Sequence, residues 1–149
     1  MGPTATASLR AATEADARSI HDLLERSGLP TSDLATARPE FVIGNDGERV
    51  IGVGALERFG SAALLRSVAV EPQLRGSGVG RLIVGELERR ARAAGIHELI
   101  LLTVTAREFF ERLGYGVTDR GHVPPAMRES AEFRSLCPAS ATCMAKSLR

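Results

Sequence analysis

The chain reads as a mixed α/β domain built around one sheet, and three observations carry that reading. Apolar, β-branched-rich runs at 50–56, 62–70 and 98–103 have the length and continuity of buried strands. Two segments, starting near Ala17 and Val79, repeat apolar residues at helical spacing and stop at Gly28 and Gly95. Turn residues separate every pair of runs, giving the order β-α-β-β-β-α-β-α-β-β. With 149 residues the chain is expected to be a single domain over 1–149, long enough for a real core.

Taken in order, Leu9–Ala12 is a first strand by position, though weak in propensity. Thr13 with Asp16 three residues later forms a capping-box-like start. Ala17, Ile20, Leu23 and Leu24 then give one apolar helix face. Residues 29–39, with Pro30 and Pro39, form a loop or a short helix. Phe41–Ile43 and Val50–Leu56 are two strands joined by the hairpin turn Asn45-Asp46-Gly47. Residues 62–70 follow as a strand after the turn Phe59-Gly60-Ser61, ending before Pro72, which cannot donate to a ladder. Val79, Leu82, Ile83, Leu87 and Ala91 mark the second helix, closed by Gly95. Glu98–Thr103 is a buried strand, and Ala106–Leu113 a helix ended by Gly114. Tyr115–Thr118 is a strand, Pro125–Phe133 a helix and Ala141–Ser147 a last strand.

Composition narrows the function classes. The net charge of +1 offers no electrostatic support for nucleic acid. No apolar run approaches the ~20 residues of a membrane span, and the N-terminus lacks a signal peptide's layout. A cytoplasmic protein is expected. Met1–Thr6 formally fits a myristoylation pattern, but residues 1–7 are expected to be a disordered start.

The most telling segment is Val68-Ala69-Val70-Glu71-Pro72-Gln73-Leu74-Arg75-Gly76-Ser77-Gly78-Val79-Gly80. A strand, a glycine-rich turn and a helix start in succession present several backbone N–H groups at a helix N-terminus. That is a site for phosphate or pyrophosphate, and Arg75 and Arg81 flank it as charge partners. A dinucleotide-binding turn would need glycine where Arg81 stands, and a P-loop would need Lys-Ser/Thr after the turn. The turn cannot hold a large cofactor alone. A helix terminus contributes about 0.3–1 kcal/mol per anion and up to ~2 when partly buried, whereas micromolar affinity needs roughly 8 kcal/mol.

Gln73-Leu74-Arg75-Gly76-Ser77-Gly78, after Ser67–Pro72, resembles the acyl-CoA motif Q/R-x-x-G-x-G/A of the GCN5-related N-acetyltransferase (GNAT) superfamily. The resemblance implies a mixed sheet of six to seven strands flanked by about four helices, with acetyl-CoA bound between the fourth and fifth strands. It implies that Val68, Ala69, Val70, Arg75, Gly76, Ser77, Gly78, Val79, Gly80, Arg81, Thr103 and Phe110 hold the cofactor, with the pantetheine arm pairing to Val68 and Val70 like an added strand. Members often carry N-x-x-A-x-x-F-Y, whose Tyr protonates the departing thiolate. Here Thr103 replaces that Asn and Phe110 that Tyr, which leaves Tyr115 as the candidate acid.

Leu101–Ala106 with Phe109–Tyr115 is similar to the amino-acid N-acetyltransferase branch, and Val123–Arg128 to its "LPxxxR" element. Ser135–Met144 resembles small acetyltransferases associated with bacterial arsenic resistance, whose relatives act on amino acids carrying arsenic or phosphorus. A small amine suits a site without the usual Tyr. Deprotonating a lysine at pH 7 costs about 4.6 kcal/mol and an α-amine near pKa 8 only ~1.4, with free amino acids between. Glu57 is the candidate base, or a surface carboxylate. Arg66 interrupts an apolar strand and needs a partner, which is a substrate oxyanion or an internal ion pair. Arg128 is a second oxyanion candidate.

His21, His97 and His122 share no metal-ligand spacing, and no metal is expected. Cys137 and Cys143 are expected as reduced, small buried residues, with a soft metalloid site as the alternative. The expected partner is a small-molecule amine, with no nucleic acid or membrane, and a homodimer as an open option. Two other functions remain open: a protein or peptide N-terminal acetyltransferase, and a non-catalytic acyl-CoA- or metalloid-sensing module.

Overall fold

The computed structural model describes residues 7–149. Seven strands form one sheet in the order β1-β2-β3-β4-β5-β7-β6: β1 (Ser8–Ala11), β2 (Glu40–Asp46), β3 (Arg49–Phe59), β4 (Ala62–Val70), β5 (Glu98–Thr103), β6 (Gly116–Val117) and β7 (Thr142–Ser147). Five helices accompany them: α1 (Ala17–Arg26), α2 (Leu34–Ala37), α3 (Val79–Ala93), α4 (Arg107–Arg112) and α5 (Pro125–Arg128). The Met1–Thr6 myristoylation pattern lies outside the described residues. Ala7, expected within a disordered start, instead packs against the main core.

Local chemistry accounts for most element ends. The Asp16 carboxylate accepts from Thr13 N–H at 2.8 Å, closing the capping box, and also takes Arg10 in two 2.8 Å bonds. Those contacts hold its carboxyl well below the usual carboxylate range, the Arg10 bonds foremost. The hairpin turns on Gly47 (φ 62°), so β2 runs on through Asn45 and Asp46, two residues that the sequence assigns to the turn. Asn45 instead stabilises it from the strand, donating its side-chain amide to Arg49 C=O at 3.3 Å.

The two sheet faces are covered by different helices, with strand alternation shifted at the irregularities opposite Gly44/Asn45 and at Ser67. Val42, Ile51 and Leu65 pack with Val79, Ile83 and Leu87 of α3, while Ile43, Val53 and Ala69 meet Ile20, Leu23 and Leu24 of α1. Farther along that second face, Leu64 and Ile100 meet Met127 of α5 and Phe133. Under α3 the sheet is glycine-lined. A Cβ on Gly54 would stand 2.7 Å from Ile83 Cγ2 and 2.9 Å from Leu87 Cδ1, and one on Gly52 2.6 Å from Ile83 Cδ1. The missing side chains let the helix seat close to the strands.

Two expected elements are altered. The strand expected over Tyr115–Thr118 shrinks to Gly116–Val117, and Tyr115 N–H is instead bonded to Phe110 C=O at 3.0 Å, at the end of α4. The helix expected over Pro125–Phe133 stops after Arg128, and a five-residue π-helical turn follows at Glu132–Leu136. Ser130 between them donates its hydroxyl to Met127 C=O at 2.6 Å, a local bond that competes with helix continuation.

The decisive topological feature lies at the sheet centre. β4 and β5 are parallel neighbours only over Ala62–Leu64 and Glu98–Ile100. Beyond that point they part. β4 stays with β3, but its register slips between Ala55↔Arg66 and Val53↔Ala69, where Ser67 and Val68 oppose Gly54 alone. The bulge is centred on Ser67, one of two non-glycine residues with positive φ (60°) among the described residues. Gly54→Val is expected to destabilise the domain by about 1–3 kcal/mol through overpacking against Ile83 and Leu87, measured by urea unfolding.

Candidate acyl-CoA site

The parting strands open a cleft of about 830 Å³. One wall is β4 from Leu65 to Val70, the other runs from Leu101 through Ala106 into α4 at Phe109, Phe110, Arg112 and Leu113. At its outer end stand Leu74, Arg75, Gly76, Gly78, Gly80 and Arg81. The remaining lining, Ser27–Pro30 and Leu136–Pro138, lies in segments that carry Asp33 and Glu132 to Arg66, and is called the inner end.

The outer end is arranged for anions. Pro72 starts a short 3-10 turn, Gly76 (φ 83°) and Gly78 (φ 95°) take left-handed conformations, and α3 begins at Val79. The first hydrogen bond into the helix is Leu82 N–H to Gly78 C=O at 3.1 Å. The N–H groups of Val79, Gly80 and Arg81 therefore have no helical acceptor. A Cβ at Gly76 would meet nothing within 4 Å, so the turn borders open space. Arg75, Arg81 and Arg112 line the cleft, and none is ion-paired among the described residues. These features fit a phosphate-bearing cofactor.

Most of the residues assigned to the cofactor from the sequence come together here: Val68, Ala69, Val70, Arg75, Gly76, Gly78, Gly80, Arg81, Thr103 and Phe110 all line the cleft. Two have other duties. The Ser77 hydroxyl is bonded to Leu74 C=O and braces the turn. The Val79 side chain is fully buried in the core, leaving only its backbone to face an anion. Thr103 Oγ1 accepts from Ala106 N–H at 3.0 Å, so it caps the loop before α4 in place of an asparagine. Phe110 is buried edge-to-face between Phe109 and Tyr115.

The catalytic and substrate candidates are redistributed. Tyr115 is outside the cleft, donating to Glu88 Oε2 at 2.8 Å, with Lys146 Nζ 3.1 Å from the same carboxylate. Burial, then the Glu88 charge, push its phenol far above the ordinary tyrosine range. It is a core residue and not an acid for a departing thiolate. Arg128 is exposed on α5, away from the cleft walls. Arg66 is the larger correction. Its side chain is fully buried and holds Asp33 in two bonds of 2.6 and 2.7 Å, with Glu57 at 3.1 Å and Glu132 at 3.4 Å. Burial opposes its charge, but Asp33, Glu132 and Glu57 outweigh it and raise its pKa. The internal ion pair thus prevails over the substrate oxyanion, and Glu57, engaged with Arg66 outside the cleft walls, is not placed as a base.

Sequence reasoning missed Asp33 and Glu132. The signal was the buried-strand arginine itself, which requires carboxylate partners without saying which. Burial is also the main force on Glu132, and with Asp33 and Glu57 it overrides Arg66 to push the carboxyl up to about 7. Cys137 lines the inner end, its thiol pushed up to about 11 by burial and then by Glu132. Cys143 is buried in the cluster around Met127 and Phe133, and no cluster of three metal-ligating residues exists among the described residues.

The family assignment follows from sequence and fold together. Residues 37–117 match the acetyltransferase (GNAT) domain, and the chain belongs to that family. An N-acetyltransferase of Chlorobaculum tepidum is 31% identical over 86 residues, covering 57% of this chain and 55% of that protein. An amino-acid acetyltransferase of Mycobacterium tuberculosis is 38% identical over 68 residues, covering 45% of this chain and 38% of that protein. The chain therefore spans about half the length, or less, of these curated relatives. A Mycobacterium tuberculosis protein crystallised with CoA superposes with a TM-score of 0.81 at 27% identity, over 95% of this chain and 99% of that one.

Glu132 yields a pH prediction. Its folded pKa, about 7, lies above the ordinary 4.5, so the folded state binds its proton more tightly than the unfolded chain. Its stabilising contribution is then complete below pH 4.5 and is lost as pH rises to about 7. Relative to the parent, Glu132→Gln should gain on the order of 1–3 kcal/mol between those limits, read from denaturant titrations across pH. A constant difference would contradict the buried, proton-holding state.

Proposed function

We propose that this domain is an acetyl-CoA-dependent N-acetyltransferase acting on the α-amine of a small amino-acid-like substrate. The observation that carries it is the cleft between β4 and β5, with free helix-start N–H groups and the unpaired Arg75 and Arg81 at one end. Acetyl-CoA is the cosubstrate the family and the CoA-bound neighbour suggest, and its pyrophosphate suits Arg75, Arg81 and the Gly76–Gly80 backbone. The β4 edge freed beside β5 suits strand-like pairing by the pantetheine arm, using backbone groups of Val68 and Val70. An N–H at Val68 would polarise the acetyl carbonyl.

The inner end supports a small, weakly basic acceptor. Among the described residues the cleft walls hold no Asp, Glu, His or Tyr, and Cys137 is their one ionisable group besides arginine. With its pKa near 11, this thiol is not a base at neutral pH. An amine already partly neutral in water suits such walls better than a lysine side chain, with solvent taking the proton. The amino-acid branch is favoured by the relative named amino-acid acetyltransferase. Within that branch, the resemblance at Ser135–Met144 suggests amino acids carrying arsenic or phosphorus.

A panel of amino acids, their arsenic and phosphorus analogues and N-terminal peptides, read by free CoA release, tests this. Turnover of free amino acids above all peptides is expected. Preference for peptides would replace the acceptor class, and no turnover with retained acetyl-CoA binding would favour a sensing module.

Cofactor affinity should follow the unpaired arginines. Arg81→Gln is expected to weaken acetyl-CoA binding about tenfold, the scale of one charge-assisted hydrogen bond, with unfolding unchanged because Arg81 is exposed. Calorimetry showing full affinity in Arg75→Gln/Arg81→Gln would remove the phosphate assignment.

A further inference from the structure

The inner end of the cleft is walled by two segments far apart in sequence, Ser27–Pro30 after α1 and Leu136–Pro138 after the π-helical turn. No strand ladder joins them. Each lies within a few residues of a carboxylate bound to the same buried guanidinium. Asp33, just after the first wall, holds Arg66 Nη1 and Nη2 at 2.6 and 2.7 Å. Glu132, which opens the π-helical turn ending at the second wall, lies 3.4 Å from Arg66 Nε.

Arg66 itself precedes the bulge. Its Nε also donates to Ser67 Oγ at 3.2 Å, on the residue whose φ of 60° sets the direction of the β4 wall. Side-chain exposures of 0% for Arg66, 9% for Asp33 and 5% for Glu132 keep solvent from loosening these bonds. In the first wall, Ser27 Oγ is buried without a hydrogen-bond partner among the described residues.

We propose that Asp33, Arg66 and Glu132 form a clamp that fixes both inner walls to the bulged strand, making Arg66 a positioning residue for the acceptor amine and not for the cofactor. The inference rests on the acetyltransferase reading only for the name of the ligand at that end. Mechanically it requires that loss of one carboxylate loosen both walls. A group bonded bidentately to a planar guanidinium fixes orientation as well as distance, so a neutral amide in its place keeps the volume and loses the geometry.

The test combines amide hydrogen exchange with kinetics on Asp33→Asn, using Arg66→Lys, which keeps the charge and loses the planar fork, as a second variant should the first fold poorly, and Asp33→Glu for rescue. Exchange should quicken in 27–37 and also in the distant 132–141, while β2 and β3 stay protected. KM for the amine should rise about tenfold, as misplacement of a reacting group implies. Acetyl-CoA affinity should stay within about twofold, and Asp33→Glu should recover part of the loss. Exchange that quickens only around position 33, or throughout the domain, overturns the clamp whether or not any amine is acetylated. An unchanged amine KM in an active enzyme overturns the positioning role. Absence of turnover in the parent protein bears on the acetyltransferase reading alone, because the exchange arm still decides the clamp.

Discussion

Three residue pairs, Ala62–Leu64 against Glu98–Ile100, are all that join β4 to β5, and the site depends on how soon that pairing ends. Past Leu64 the backbone of β4 keeps its ladder with β3 on one edge and releases the other. A released edge inside a domain is costly unless something satisfies its N–H and C=O groups. Here that edge becomes one wall of a cleft. The bulge at Ser67 adds twist where the strands diverge, as bulges do near functional sites.

The ends of the two strands then decide what flanks the opening. β4 leads through Pro72 and the glycine turn into α3, so its last residues lie beside free helix-start N–H groups. β5 leads through the Thr103 cap into α4, which brings Phe109, Phe110 and Arg112 across from them. Glycines at 52 and 54 let α3 sit low on the sheet, which sets where its N-terminus points.

Arginines divide by position along this cleft. Arg75, Arg81 and Arg112 are unpaired near solvent, where a guanidinium costs little to hold free. Arg66 is buried and surrounded by three carboxylates, because a lone buried cation is untenable. One end is left with free positive charge and the other with its charge internally spent. Such a gradient orients a ligand that is anionic at one end only. Glu132 belongs to this arrangement, since three carboxylates around one guanidinium cannot all ionise cheaply.

Much of the fold was legible in the sequence because its signals are local. Apolar periodicity, Gly28, Gly47, Gly95 and Gly114 at element ends, and the Thr13–Asp16 box act over a few residues. The glycine-rich turn was legible for the same reason, as its backbone conformation is written in consecutive residues. Assignments resting on contacts between distant segments were not. Tyr115 looked like a spare acid until the fold put it on Glu88, 27 residues away. Arg66 looked available to a substrate until Asp33, 33 positions earlier, and Glu132 converged on it. The sequence by itself determined most of the strands, the two long helices and the glycine-rich turn that joins β4 to α3. Only the tertiary structure decided which charges stay free, because burial and partner choice are properties of packed surfaces and not of chain neighbours.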